Sequence, residues 1–147
     1  MKIVAAAILL ASLVSTCGHE DADQETTHQE EVQITQTLAL NNGERWQADD
    51  ATNQNMQALQ QLLQDFAKQS ETQSLDAYND LGSAMRSGLQ QLFTDCTMKG
   101  PAHDMLHTFL LPIAEDIALL EGKDETEAMA AHSRINGRLA QYSAYFQ

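Results

Sequence analysis

Between residues 50 and 147, apolar side chains recur every three or four positions, in four blocks separated by short polar breaks. That period places them on one face of a helix, and a helix with one apolar face must bury it against another element. The first block spans residues 50–69, with Asp49, Asp50 or Thr52 as N-cap and Met56, Leu59, Leu62, Leu63 and Phe66 as its stripe. The second starts after residues 70–74 and carries Leu75, Tyr78, Leu81, Met85, Leu89, Leu92 and Phe93, with Cys96 as the next inward member. Gly82 and Gly88 weaken it by roughly 1 kcal/mol each against alanine, and permit close approach of a neighbour. Gly100 stops this helix and Pro101 opens the third, the favoured order of the two residues. His103, Leu106, His107, Leu110, Ile113, Ala114, Ile117 and Leu120 share one side of the third block, and Pro112 should kink it or remove one hydrogen bond. Met105 falls off that side. Gly122-Lys123 ends it, and Asp124 to Glu127 has capping-box spacing. The fourth block turns Ala128, His132, Ile135, Leu139, Tyr142 and Phe146 inward. Four such helices with short loops predict an all-α fold over residues 48–147, an up-down-up-down four-helix bundle.

The residues before the bundle divide into three. Val32, Ile34, Leu38 and Leu40 lie at alternating positions, and Asn42-Gly43 is a strong hairpin signal, so residues 32–47 read as a short β-hairpin or extended segment. Such a ribbon is not stable alone, so Trp46 is expected to pin it to the helices. Residues 17–31 are polar and acidic, the composition of a disordered tether. Residues 1–16 combine Lys2 with the apolar run Ile3 to Val14, too short for a membrane span and suited to a signal peptide. Leu13-Val14-Ser15-Thr16-Cys17 resembles a bacterial lipobox, although Thr16 stands where Gly, Ala or Ser is usual. That resemblance implies a lipid on Cys17 and a place in the bacterial cell envelope, anchored to the periplasmic face or outer membrane. Removing residues 1–16 takes away only Lys2, so the formal charge of −13 becomes −14. A chain this acidic lacks the basic footprint of a nucleic-acid binder.

The chain has two cysteines. With Cys17 lipidated, Cys96 is left as a thiol in an oxidising compartment, where it must be buried, bound to metal or paired between chains. It opens a stretch of twelve residues, Cys96 to His107, that also holds Met98, His103 and Met105 around the Gly100-Pro101 break. His103 and His107 are one helical turn apart and project from one face. Thiolate, imidazole and thioether donors suit copper before zinc. The expected metal ligands are therefore Cys96, His103 and His107, with Met98 as a weak fourth, the donor set of electron-transfer copper sites. The competing reading is that each of these side chains is a core filler, because cysteine, methionine and hydrogen-bonded histidine are common in cores. A third reading places non-covalent haem between Met56 or Met85 and His132. It leaves the Cys96 to His107 stretch unexplained.

Cys96-Thr-Met-Lys-Gly-Pro-Ala-His103-Asp-Met-Leu-His107 resembles a Cys-x-Met-Lys-Gly-x-x-His-x-x-Leu-His motif of small secreted bacterial helical proteins. The Asn42-Gly43-Glu44-Arg45-Trp46 entry and the Tyr142 to Phe146 finish extend the resemblance over most of the mature chain. It implies secretion and a helical fold, and carries no established activity. His103-Asp104-x-x-His107 imitates the His-Glu-x-x-His of zinc peptidases but has the shorter Asp and lacks an evident third ligand. No catalytic residues are assigned. The expectation is an envelope copper protein serving electron transfer or copper handling, with a redox or copper-transfer protein as partner; the alternative is a structural or interaction bundle without metal. A Cys17→Ser chain should leave the membrane pellet for the soluble fraction on cell fractionation, and its retention in the pellet would count against the lipid anchor.

Overall fold

A computed structural model describes residues 37–69 and 74–147. The signal-peptide and tether segments, the lipidation position Cys17 and the first residues of the expected hairpin (32–36) lie outside the described residues. The described chain is predominantly helical: α1 (Asp50–Ala67), α2 (Leu75–Asp95), α3 (Pro101–Leu120), α4 (Glu125–Ala140) and a single turn, α5 (Tyr142–Tyr145). Asp49 is the N-cap of α1, its side chain accepting from the Thr52 N–H at 2.7 Å. Ser74 caps α2 and Asp124 caps α4, the latter accepting from the N–H groups of Thr126 and Glu127. Each cap satisfies donors that the first helical turn leaves without partners.

α1 packs on α2, α2 on α3, α3 on α4, and α4 closes back on α1. Their shared core contains Met56, Leu59, Met85, Leu92, Leu106, Phe109, Leu110, Ile113, Ile117, Leu120 and Ile135, all essentially inaccessible to solvent. Both glycines of α2 lie close against neighbouring residues. A Cβ at Gly88 would come within 2.8 Å of the Leu59 side chain on α1, and one at Gly82 within 3.0 Å of Leu120 on α3. α3 runs unbroken through Pro112, whose missing N–H removes one helical hydrogen bond. Among the described residues, no helix is long and apolar enough to cross a membrane.

Several expected positions differ. Phe93 is 46% exposed and His107 also faces solvent, so the stripes of α2 and α3 turn outward near their meeting point. Met105, expected off the inward side, is buried beneath the entry segment, its sulfur accepting from the Ala39 N–H at 3.4 Å. The entry segment covers α3 from a direction that helical periodicity does not encode. The fourth helix ends at Ala140; Tyr142 and Phe146 reach the core from the separate turn α5 and the residue after it.

The expected hairpin is reduced to its turn. Asn41 and Glu44 exchange both backbone hydrogen bonds around Asn42 and Gly43, whose φ angles of 52° and 93° are those of a mirror-image tight turn. No strand ladder forms among the described residues. Trp46 instead forms a parallel bridge with Phe146, donating its N–H to the Tyr145 carbonyl at 2.7 Å and accepting from Gln147 at 2.9 Å. Its indole N–H donates to the Ala39 carbonyl. Trp46 thus pins the entry segment, as expected, but to the end of the chain.

Leu106 and Leu139 are each only 1% exposed. Leu106→Ala and Leu139→Ala should each destabilise the fold by roughly 2–5 kcal/mol through lost burial and residual cavity. Chemical denaturation followed by helical circular dichroism would measure this, and an unchanged midpoint in both variants would contradict the core described above.

Candidate metal centre

The Cys96 to His107 stretch is built by the end of α2, the start of α3 and one carboxylate from outside both. Cys96 caps α2 in an extended conformation, its N–H still bonded to the Leu92 carbonyl at 2.9 Å. The chain then turns through Gly100, whose φ of 65° lies in the region that disfavours a side chain, and Pro101 starts α3. Asp49 holds this turn. One of its oxygens caps α1, and the other accepts from the Thr97 N–H at 2.6 Å and the Thr97 hydroxyl at 2.7 Å. Nearby, the Asn55 side chain of α1 donates to Asp95 at 3.0 Å, a second tie between α1 and the end of α2. Burial alone would push the Asp49 carboxyl up, but the hydrogen bonds from Thr52 and Thr97 outweigh it and hold the group well below the usual carboxylate range.

The clamp leaves three donor side chains in a row. The Cys96 sulfur lies 3.7 Å from Nδ1 of His103, and Nε2 of His103 lies 2.9 Å from Nε2 of His107. The two imidazoles meet edge to face at 74°, and His107 stacks on Phe93 at 9° with ring centroids 5.7 Å apart. Phe93 thereby shields one face of an otherwise exposed ring. Loss of solvation, followed by the proximity of His103, lowers the His107 pKa, and Asp104 offsets this in part. The depressed value keeps the ring neutral, with a lone pair to offer, to lower pH than an ordinary histidine.

The sequence-derived ligand set is therefore brought to one end of the helices, but not around one point. Cys96 and His107 occupy opposite nitrogens of the same ring, so His103 cannot share a single metal with both as placed. Met98 is half-buried against the core. Among the described residues, no three His, Cys, Asp or Glu side chains gather as a metal-binding group. What does fit a metal is the histidine pair: two nitrogens bound at about 2.0–2.1 Å and at right angles lie about 2.9 Å apart. The same distance also accommodates an N–H···N hydrogen bond. His132, the haem candidate, lies elsewhere, half-buried with its ring centroid 5.1 Å from Phe66 and 5.8 Å from Tyr78. Met56 and Met85 are wholly buried in the core.

Two residues that shape the site carry no ligand signature. Phe93 sits on the α2 stripe and reads as core. Asp49 reads as an ordinary cap, and only its long-range bonds to Thr97 give it a second role. No family model, no curated protein and no solved structure matches this chain.

Asp49→Ala should cost roughly 1–3 kcal/mol, combining a lost cap with unmet donors on Thr97. Because the folded-state pKa is depressed, the ionised Asp49 stabilises the protein fully above its unfolded pKa of about 3.9, and that contribution shrinks progressively as pH falls below it toward the much lower folded-state value. Denaturation midpoints of wild type and Asp49→Ala, measured from pH 7 to pH 2, should accordingly converge in acid. A constant gap between them would remove the electrostatic role.

Proposed function

We propose that this chain is a metal-handling protein of the bacterial envelope, built on an up-down-up-down four-helix bundle and carrying copper at one end of it. The observation that supports the reading most directly is the 2.9 Å between the Nε2 atoms of His103 and His107. That spacing matches cis nitrogens of a tetragonal centre, which favours divalent copper over tetrahedral zinc. Two protein ligands at an exposed position leave the remaining sites to water or to a donor from a partner. An open set of this kind suits acquisition and release of copper, through a copper-transfer partner, better than electron transfer, which works best with a closed and rigid shell. The signal-like residues 1–16 and the lipobox-like residues before Cys17 support export and membrane attachment. The depressed pKa of His107 adds to the reading, because a neutral imidazole is the ligating form.

Copper(II) titration of the purified mature protein, followed by electron paramagnetic resonance, tests this proposal. One copper per chain with a tetragonal signal is expected. His107→Ala should weaken binding by at least about 100-fold, since loss even of outer partners of a metal ligand commonly costs about 10–100-fold. His132→Ala should leave binding unchanged. Absence of stoichiometric copper, or binding indifferent to His107→Ala, would leave the structural-bundle reading in its place.

A further inference from the structure

We infer that Cys96 is the positioning partner of His103 and not a ligand of the metal: its sulfur accepts a hydrogen bond from the Nδ1–H of His103, which keeps that proton on Nδ1 and leaves Nε2 bare toward His107. This role rests on the two-histidine reading of the site and defines the donor set more closely. A neutral imidazole has one N–H and one lone pair, on different nitrogens. His103 points one nitrogen at each neighbour, Nδ1 at the Cys96 sulfur at 3.7 Å and Nε2 at His107 at 2.9 Å. A metal shared with His107 occupies the Nε2 lone pair, so the proton must be on Nδ1. The acceptor placed there is sulfur.

Histidine ligands commonly donate their second ring N–H to an acceptor that fixes both tautomer and ring orientation. Carboxylates and carbonyls usually serve; here a thiol stands in their place. Its backbone is held on both sides. The Cys96 N–H is bonded to Leu92, and the next residue, Thr97, is clamped through two bonds to Asp49. Cys96 is also half-buried, whereas His107 is exposed, so water and a metal reach the Nε2 edge of His103 more readily than its Nδ1 edge. The consequence is a nitrogen and oxygen donor set, without the thiolate of the Cys-His-His arrangement suggested by the residue types alone. The rival geometry puts the metal between Cys96 and Nδ1 of His103 and excludes His107.

The test uses the reduced mature protein, its Cys96→Ser, Cys96→Ala and His107→Ala variants, and nickel(II). Nickel favours the same tetragonal nitrogen and oxygen sites and does not oxidise thiols. In the metal-free protein, imidazole nitrogen NMR should find His103 as the Nδ1–H tautomer in wild type. The tautomer should persist in Cys96→Ser, whose hydroxyl still accepts, and shift toward Nε2–H in Cys96→Ala. Wild type should bind nickel without thiolate-to-nickel absorption. Cys96→Ser should retain that affinity, and Cys96→Ala should lose about 10–100-fold. A thiolate-to-nickel band in wild type that vanishes in Cys96→Ser would overturn the inference and make Cys96 a ligand. An unchanged tautomer together with unchanged affinity in Cys96→Ala would overturn it as well. Failure of the two-histidine reading has a different signature: no nickel bound by wild type, or binding indifferent to His107→Ala, while the His103 tautomer still follows residue 96.

Discussion

The Asp49 carboxylate joins the start of α1 to the α2–α3 turn, and the geometry of the candidate site follows from that junction. Its two oxygens accept three hydrogen bonds, one from Thr52 and two from Thr97. A carboxylate is suited to this because it only accepts, and the groups it meets only need an acceptor. A turn built on glycine and proline could take several paths on its own. Held at Thr97, it fixes where α2 stops and the direction in which α3 leaves, and these two choices set the spacing from the Cys96 sulfur to the His103 ring.

The remaining ties hold the ends of the chain in the same manner. The Trp46 backbone donates to Tyr145 and accepts from Gln147, Ala48 donates to Gln147, and the Tyr142 hydroxyl donates to Asn53 of α1. Burial, followed by the nearby Asp49 carboxylate and the Cys96 sulfur, pushes the Tyr142 phenol up, so it stays protonated and available as a donor. Phe109, Tyr142 and Phe146 form an aromatic group beneath this closure, with centroids 5.1 to 5.8 Å apart. The described chain is thus closed at the end that carries the histidines by polar bonds over an aromatic base. Toward the other end, Phe66, Tyr78 and His132 pack with their rings tilted against one another.

Phe93 shows how a core-forming pattern can serve a surface. Its position continues the apolar stripe of α2, but the ring is 46% exposed. There it covers His107 instead of a core side chain. An exposed aromatic beside an imidazole lowers the cost of keeping that imidazole neutral, because the charged form loses hydration on the covered face. An apolar residue thereby helps to set the chemistry of a polar one.

The helices were written in local order. Periodicity located all four, the cap candidates that included Asp49, the capping-box spacing at Asp124 and the Gly100-Pro101 break marked their ends, and the inward positions of Leu106, Ile113, Ile135 and Leu139 follow from spacing alone. These depend on contacts within one or two turns, which sequence encodes directly. The nearness of Cys96, His103 and His107 was also legible, since a short break between helices forces it. Their order along a row was not: it depends on which nitrogen of His103 faces which neighbour, and that is decided by the path of the turn under the Asp49 clamp. Met105 beneath Ala39, Trp46 against Phe146 and Asp49 on Thr97 likewise join residues 48 to 100 positions apart. No local pattern reports such pairs; only the packed tertiary structure brings them within bonding distance.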